Sequence, residues 1–356
     1  MQAVLRIDLA AIRANWRALV ARHAGGAVAG VVKADAYGLG AVAVARALAE
    51  AGCRHVFVAH PSEGLTVRGA VGPGPMIAVL NGFAPGADGG ALLTPVLNGL
   101  DDLAAHAARP PRAGAILHLD TGMARLGLDV REQATLAAEP GRLAGLDLRY
   151  VMSHLACADA PEHPLNAAQA ARFAAAAARI APGVPRSLAN SSGIFLGAAF
   201  ASDLARPGCA LYGINPTPGQ PNPMRQAVRL EAPILQIREI PAGATVGYGA
   251  SWTAPRPSRI ATVAAGYADG YLRAFSGGGG FALLDGQAVP LVGRVSMDLT
   301  TFDVTDVPAA RPRGMVTLMG DAPGLTPDDL AARAGTIGYE VLTALGARYR
   351  REYRPA

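Results

Sequence analysis

The sequence has few cysteines, few charged residues and no long hydrophobic run, and each of these absences narrows the possible functions. Of its 356 residues, 17% are charged, 5% are aromatic, and the formal net charge is +5. No run of 18 apolar residues occurs, so we expect no membrane-spanning helix. No dense stretch of lysine and arginine is interleaved with aromatic residues, so we expect no nucleic-acid partner.

The three cysteines, Cys53, Cys157 and Cys209, are scattered and lack the spacing of a metal site. An odd, dispersed set of this kind is typical of reduced thiols, which predicts a cytoplasmic protein without a bound metal. Residues 1–20, "MQAVLRIDLAAIRANWRALV", place Asp8 before apolar residues at helical spacing. That pattern predicts an N-capped amphipathic helix and not a signal peptide.

Hydrophobic residues make up 51% of the chain, which is long enough for two domains. From about residue 10 to 225, short apolar runs alternate with helical stretches rich in alanine, leucine and arginine. The strand-like runs are "AVAGVVKA", "RHVFVA", "PMIAVL", "LTPVLN", "GAILHLD", "LRYVMSHL", "PRSLAN" and "SDLARP". Eight runs in this alternation predict an α/β fold, a parallel (β/α)8 barrel of the TIM type, although "TPVLN" and "PRSLAN" could also be loops.

The pattern changes near residue 225. The stretch "INPTPGQPNPMRQ" is rich in proline and glycine and indicates a linker. Beyond it, apolar runs such as "APILQIREI" and "MVTLMGD" follow one another with turns between them and few helices. The sequence therefore predicts two domains, a barrel over residues 1–225 and a mostly-β domain over residues 226–356.

In barrels of this kind, reactive groups gather at the carboxyl ends of the strands. Lys33 ends the run "AGVVK". A lysine in a partly desolvated apolar pocket has a lowered pKa and can form a Schiff base with an aldehyde cofactor. Taken alone, Lys33 could equally be a surface lysine that follows a strand.

Other predicted strand ends carry further candidates. Arg125 lies in "LDTGMARLG", Arg206 in "ARPGCALYG" and His154 in "VMSHLACAD". The segment "ANSSG", with Asn190 and Ser191, offers hydroxyl and backbone N–H groups that can bind a phosphate. An isolated histidine is more often a structural core residue than a catalyst. One lysine, two arginines and a phosphate seat together, however, indicate a cofactor site.

Six motifs occur in the order found in a known family. They are "VVKADAYGLG", "ARPGCALYG", "VGYGASW", "AAGYADGY", "VGRVSMD" and "TIGYEVLT". In these motifs, and over essentially its whole length, the chain resembles the bacterial alanine racemases. The resemblance implies an isomerase that uses pyridoxal 5′-phosphate (PLP) to interconvert L-alanine and D-alanine, either for peptidoglycan or for alanine catabolism. It also implies a head-to-tail homodimer whose active sites take residues from both subunits.

The resemblance assigns roles to individual residues. Lys33 would carry PLP and act as the base on the D-alanine side, and the partner subunit's Tyr248 would act on the L-alanine side. His154 would hydrogen-bond that tyrosine, and Arg125 and Met297 would bind the substrate carboxylate. Without the resemblance, Tyr248 would be interpreted as a turn residue and Met297 as a core methionine. The implied cofactor contacts are Lys33, Tyr37, Arg125, His154, Asn190, Ser191, Arg206, Gly208, Cys209 and Tyr339, and Tyr267, Arg294 and Ile337 would line the entrance.

Two of these residues carry a physical argument of their own. Tyr37 would lie one helical turn after Lys33, so that its hydroxyl reaches the phosphate. Arg206 would face the pyridine nitrogen, and a guanidinium only donates hydrogen bonds. It would therefore keep that nitrogen unprotonated and the ring a weak electron sink, which favours racemisation over decarboxylation or transamination.

The chain departs from the family at one position. Many members carry a lysine, which can be carbamylated, two residues before the aspartate of "DTGM", and here "LHLDTGM" has His118. A histidine cannot form that carbamate, so either an anion such as chloride replaces it or Arg125 is held in another way. The alternative functions are a broader serine/alanine racemase and a non-catalytic PLP-binding protein.

Overall fold

The computed structural model describes residues 2–82, 93–108, 114–277 and 279–355. The chain divides into two compact units, one formed by Ala11–Arg225 and the other by the first ten residues together with the chain from Gln226 onward. The helices are α1 Leu9–Arg22, α2 Lys33–Gly38, α3 Ala41–Glu50, α4 Pro61–Val71, α5 Leu100–Ala107, α6 Val130–Ala138, α7 Pro164–Ile180, α8 Pro327–Ala334 and α9 Gly338–Thr343.

Within the described ranges, nineteen strands alternate with or follow these helices. They are β1 Val4–Asp8, β2 Ala27–Val28, β3 Gly30–Val31, β4 His55–Val58, β5 Met76–Val79, β6 Thr94–Leu97, β7 Ala115–His118, β8 Leu148–Met152, β9 Arg186–Ser187, β10 Leu204–Ala205, β11 Val228–Ile240, β12 Thr245–Val246, β13 Trp252–Thr253, β14 Ser258–Val263, β15 Phe281–Leu284, β16 Gln287–Pro290, β17 Thr300–Asp303, β18 Met315–Met319 and β19 Arg350–Arg354. Each of the eight strand-like runs predicted in the first part of the sequence contains a strand, including the two runs that could have been loops. The first run contains both β2 and β3, and the other seven contain β4–β10 in order.

The strands β2–β10 form a parallel barrel. β3 to β9 pair in sequence order, and β10 pairs with β2, which continues into β3 across Ala29. The Ala29 N–H donates to Ala205 O over 2.9 Å, and the Arg206 N–H donates to Ala189 O over 2.8 Å, so the ring is closed on both sides of β10. The prediction of an eight-stranded barrel followed by a mostly-β region is confirmed.

Alternating side chains of the barrel strands fill two separate cores. Successive residues of a strand point to opposite faces, so Val96 and Ile116 join one buried cluster while their neighbours Leu97 and Leu117 join another. The first cluster collects residues from strands all around the ring, and the second includes Phe173 and other residues of the helices outside it. This two-faced packing holds the strand ends in fixed positions.

The second unit is built on the long strand β11. β11 pairs antiparallel with β1, β14 and β18, and β1 also pairs in parallel with β19. The prediction placed residues 1–225 in the barrel, but Val4–Asp8, directly before the predicted helix, is a strand of the other unit's sheet. Val4, Leu5 and Ile7 are buried there, and the strands that pair with β1 lie far along the chain, so this short apolar run gave no local sign of the second unit.

The helix α1 itself follows the predicted spacing. It begins at Leu9, and Ile12, Trp16 and Leu19 are buried along one face. Within the described residues, no helix combines the length and the apolar composition needed to cross a membrane.

Candidate active site

Lys33 lies two residues after the end of the barrel strand β3. Val31 and Val32 before it are buried, and the lysine side chain is half-buried. Burial lowers the pKa of the Lys33 amine, and the positive charge of Arg125 lowers it further, while Glu63 acts in the opposite direction. A lysine in this environment gives up its proton more easily than one in water and is therefore a better nucleophile.

The turn after Lys33 is left-handed. All four residues 34–37 have φ between 51° and 56°, although none is glycine. The single turn between Lys33 and Tyr37 that the spacing predicts is therefore left-handed. The left-handed conformation costs about 1–2 kcal/mol per non-glycine residue, so other contacts must hold it. One of these is the Asp35 carboxylate, which accepts a hydrogen bond from the Ala41 N–H over 2.7 Å.

The Tyr37 hydroxyl lies beside the backbone of Gly208. A Cβ at Gly208 would overlap that hydroxyl, so only glycine leaves the space open. Ser191 lies at the same place, since its Oγ accepts hydrogen bonds from the N–H groups of Gly208 (3.0 Å) and Ala210 (3.3 Å). Tyr37 also packs on Tyr212, with ring centroids 4.8 Å apart. The hydroxyls of Tyr37 and Ser191 beside the open backbone of a glycine fit a phosphate group.

Arg206 is buried beneath the carboxyl end of the barrel strands. Its guanidinium donates to Ser187 Oγ, to Ser153 O over 2.6 Å and to His154 Nδ1 over 3.3 Å. Burial lowers the pKa of Arg206 to about 10, which still leaves it charged at neutral pH. A fixed cation that only donates hydrogen bonds suits the unprotonated nitrogen of a pyridine ring.

His154 is held neutral, and its tautomer follows from its contact with Arg206. Burial lowers the pKa of His154 well below its usual value, and the nearby charge of Arg206 adds to that effect. An arginine cannot accept a hydrogen bond, so His154 Nδ1 must accept and the ring proton must be on Nε2. His154 can therefore donate from Nε2 to another group.

Arg125 extends from a tightly bonded loop. The Asp120 carboxylate accepts hydrogen bonds from the N–H groups of Gly122, Met123 and Ala124, all between 2.9 and 3.0 Å. Burial acts to raise the pKa of Asp120, but these donors outweigh it and the pKa is lowered. The Arg125 side chain is exposed. The loop is fixed by the carboxylate, while the guanidinium is open to a ligand.

His118 is also neutral. Burial and the charge of Arg206 lower its pKa to about 3. Its Nδ1 lies 2.7 Å from Asn98 Oδ1, and since an amide oxygen only accepts, the proton is on Nδ1. His118 therefore supplies no negative charge near Arg125.

The remaining barrel candidate, Asn190, is engaged within its own turn. Its Oδ1 accepts from the Gly193 N–H over 2.9 Å, and its Nδ2 donates to Leu155 O over 3.4 Å. These bonds shape the turn that carries Ser191. A direct contact of Asn190 with a cofactor stays a prediction.

The candidates of the second unit are mostly exposed. Tyr248 follows Gly247, which has φ 76°, and its side chain is 71% exposed. Arg294 lies beside the same turn, with its Nη1 3.5 Å from the position of a Cβ at Gly249.

Two further candidates of this unit lie on adjoining loops. The Tyr267 N–H donates to Ser296 O over 3.0 Å, and the Ala268 N–H donates to Met297 O over 2.9 Å. Tyr267 and Met297 are thus on adjoining loops, while Ile337 caps α9, which carries Tyr339.

Family models match both parts of the chain, since residues 7–216 match the alanine racemase N-terminal domain and residues 227–353 the alanine racemase C-terminal domain. The chain belongs to the alanine racemase family. The alanine racemase of Acidiphilium cryptum is 56% identical over 98% of this chain and 97% of that protein. The catabolic alanine racemase of Mesorhizobium japonicum is 49% identical over 99% of this chain and 93% of that protein.

A solved structure of this family has the same fold. The alanine racemase of Bartonella henselae, with covalently bound pyridoxal phosphate, has a TM-score of 0.92 and 40% identity, covering 99% of this chain and 100% of that one. Among the described residues of our chain, no group of three histidine, cysteine or acidic side chains is arranged for a metal ion.

Sequence reasoning missed a buried glutamine that supports the family site. Gln169, on α7, donates to His154 O (2.9 Å) and to Thr121 Oγ1 (3.4 Å), and its Oε1 accepts from the Ala156 N–H over 2.9 Å. It thereby fixes the backbone around His154 and the loop of Arg125. The signal in the sequence is its position, since Gln169 and Asn166 are polar residues on the otherwise apolar face of an alanine-rich helix.

Proposed function

We propose that this chain is a PLP-dependent alanine racemase. The observation that carries the proposal is the grouping at one end of the barrel of Lys33, the buried cation Arg206 and the phosphate seat of Tyr37, Ser191 and Gly208. Covalently bound pyridoxal phosphate in the Bartonella henselae relative supports the same cofactor here. We expect Cys209 and Tyr339 to add contacts to the phosphate.

When bound, PLP supplies an electron sink that makes the α-proton of an amino acid acidic. Lys33, with its lowered pKa, can take or return that proton on one face of the substrate. Arg206 limits the strength of the sink, because it offers no proton acceptor and no negative charge to the ring nitrogen. Weak stabilisation of the deprotonated substrate favours return of the proton over transamination or decarboxylation.

A second base is needed on the opposite face, and we propose that it is Tyr248 of the partner subunit. A tyrosine ordinarily titrates near pH 10, so it needs a donor that stabilises its anion. His154 is suited to this role, because its Nε2 carries the proton and its Nδ1 is engaged by Arg206. Arg125 and the partner's Met297 would hold the substrate carboxylate.

The activity and the cofactor attachment are tested together. Purified protein incubated with L-alanine should produce D-alanine in a stereospecific assay. Sodium borohydride reduction of the PLP-loaded protein should fix the label to the peptide that contains Lys33. Absence of D-alanine would contradict the racemase proposal, and a label on another lysine would contradict the role of Lys33. Parallel assays with L-serine separate a strict alanine racemase from a broader one.

Shared active sites are tested by mixing two inactive variants. In a Lys33→Ala and Tyr248→Phe heterodimer, one site lacks both bases and the other has both. Random mixing gives about half heterodimers with one complete site of two, so activity should recover to about a quarter of wild type. If Lys33 and Tyr248 acted within one subunit, each site of the heterodimer would lack one base and no activity would return.

The cellular role is part of the proposal. A cytoplasmic homodimer would supply D-alanine for peptidoglycan or begin alanine catabolism. The three cysteines, all among the described residues, are thiols and not disulfides, which is compatible with a reducing compartment.

A further inference from the structure

The Glu63 carboxylate connects the left-handed turn after Lys33 to a helix that follows another barrel strand. Glu63 is the third residue of α4, and its Oε2 accepts from the N–H groups of Ala59 (2.7 Å) and His60 (3.1 Å). Its Oε1 accepts from the N–H of Ala34 over 2.7 Å. The bond to His60 is ordinary helix capping. The bond to Ala34 is not, because Ala34 is the residue next to Lys33.

The position of this bond matters because the turn is strained. The four residues 34–37 have left-handed backbone angles without glycine, a conformation that persists only where its surroundings enforce it. The Ala34 and Asp35 side chains are exposed and offer little packing. The far end of the turn is held by Asp35, which accepts from the Ala41 N–H. The end beside Lys33 is held by Glu63.

We propose that Glu63 is a positioning residue for Lys33, whose carboxylate fixes the start of the left-handed turn and with it the places of the lysine amine and the Tyr37 hydroxyl. The inference rests on the proposed role of Lys33 as the PLP-bearing lysine. The charge of Glu63 has a second consequence. Burial and Arg125 lower the pKa of Lys33, and Glu63 opposes them, so Glu63 moderates how easily the amine loses its proton.

The two oxygens of Glu63 make a sharp substitution possible. A glutamine in this place has one acceptor and one donor, so it can satisfy either Ala34 or the start of α4, but not both. Glu63→Gln also removes the charge. Glu63→Asp keeps the charge and shortens the reach. Matched controls are Thr66→Ala, an exposed position of the same helix, and Glu50→Gln, an acidic residue at the end of α3.

The experiment measures PLP binding and attachment in the full-length protein. PLP is removed, added back over a range of concentrations and pH, and attachment to Lys33 is followed by borohydride trapping and peptide mass analysis. We expect Glu63→Gln to weaken PLP affinity about tenfold, as loss of a charge-assisted hydrogen bond does. The pH midpoint of the attachment rate should move down, because the amine loses a stabilising negative charge. Both controls should match wild type.

Glu63→Asp separates the two effects. Glu63→Asp should weaken PLP affinity while leaving the pH midpoint of attachment near that of wild type. If Glu63→Gln does not fold, the PLP affinity and pH midpoint of Glu63→Asp are compared with those of wild type instead. A role confined to capping α4 would lower the melting temperature and leave both PLP affinity and the pH midpoint unchanged, which would overturn the inference. If PLP in the wild-type protein labels a lysine other than Lys33, the proposed function itself is wrong. This outcome is distinguishable from a failure of the Glu63 inference alone.

Discussion

The barrel candidates and the candidates of the second unit differ in how the chain surrounds them. Arg206 and Ser191 are each 4% exposed, and their polar atoms are satisfied by neighbours in the same unit. Tyr248 and Met297 are 71% and 54% exposed. The barrel residues are therefore held by contacts within their own unit, whereas the residues of the second group present exposed side chains.

This difference bears on how each group obtains its reactivity. Lys33 and His154 owe their lowered pKa values chiefly to burial within the barrel. Tyr248 is exposed in its own unit, so in the proposed dimer the groups that assist it would come from the partner subunit. In the proposed dimer, His154 of the barrel would donate a hydrogen bond to Tyr248 of the partner subunit, and Arg206 would hold His154 in place.

The largest effect should come from removing the exposed base. Tyr248→Phe deletes only a hydroxyl, so PLP should stay bound while racemisation in both directions falls about 10²–10⁴-fold, the usual range for loss of a general base. The measurement is the rate of D-alanine and L-alanine formation beside the absorbance of bound PLP. Tyr353→Phe, at an exposed tyrosine of the same unit, is the control. Nearly unchanged rates in Tyr248→Phe would show that the exposed group is not catalytic.

A change in the buried half should alter both stability and product. Arg206→Glu places a carboxylate beside Ser153 O, and breaking a buried charged network costs about 3–5 kcal/mol in the free energy of unfolding. A carboxylate near the ring nitrogen would also favour its protonation and strengthen the electron sink. We expect a lower urea midpoint, slower racemisation and more pyruvate from alanine.

The control for this change is Arg256→Glu, at an exposed arginine that pairs with Asp306. It should leave the product unchanged. If Arg206→Glu folds and forms no more pyruvate than wild type, Arg206 does not control the fate of the substrate.

Much of the barrel could be predicted because its signal is local. Runs such as "PMIAVL" are apolar over one strand length and are separated by amphipathic helices, so β5 and its neighbours follow from the periodicity of hydrophobic residues. The strand β1 could not be predicted, because its burial depends on β11 and β19, which come more than 200 residues later. Long-range pairing leaves no mark in the local pattern.

The candidate site, likewise, could be predicted only in part from the local sequence. The spacing from Lys33 to Tyr37 indicates one turn, but the spacing does not reveal that the turn is left-handed, nor that Glu63 accepts from Ala34 and Asp35 from Ala41 at its two ends. The support of His154 by Gln169 likewise needs the fold to bring α7 to the barrel end. The inability of His118 to form a carbamate, in contrast, follows from its residue type alone, and burial and the charge of Arg206 also keep it neutral by lowering its pKa.

A smaller effect on activity is expected from the anion that holds Arg125 in the barrel unit, where His118 stands in place of a lysine. Because it carries no negative charge, we expect an anion such as chloride to hold Arg125 and bicarbonate to have no effect. Removing chloride should lower activity about tenfold or less, the effect of one hydrogen bond to a charged group. His118→Lys should lose the chloride dependence and respond to bicarbonate. Equal activity with and without chloride would show that Arg125 needs no added anion.

The smallest effect concerns acid stability, and it separates the two units directly. All seven histidines lie between residues 23 and 163, in the barrel unit. The folded pKa of His118 is about 3, below the unfolded value near 6.5, so its contribution to stability is complete above pH 6.5 and is lost as the pH falls toward 3. Each such histidine should remove about 1 kcal/mol per pH unit below pH 6. Between pH 6 and pH 4.5, hydrogen-exchange protection, corrected for the intrinsic pH dependence of amide exchange, should therefore fall in strands such as β7 and β8 and stay unchanged in β11 and β14. His118→Asn, which keeps a polar side chain that does not titrate, should reduce this loss of protection, and an equal loss in both units would contradict this assignment.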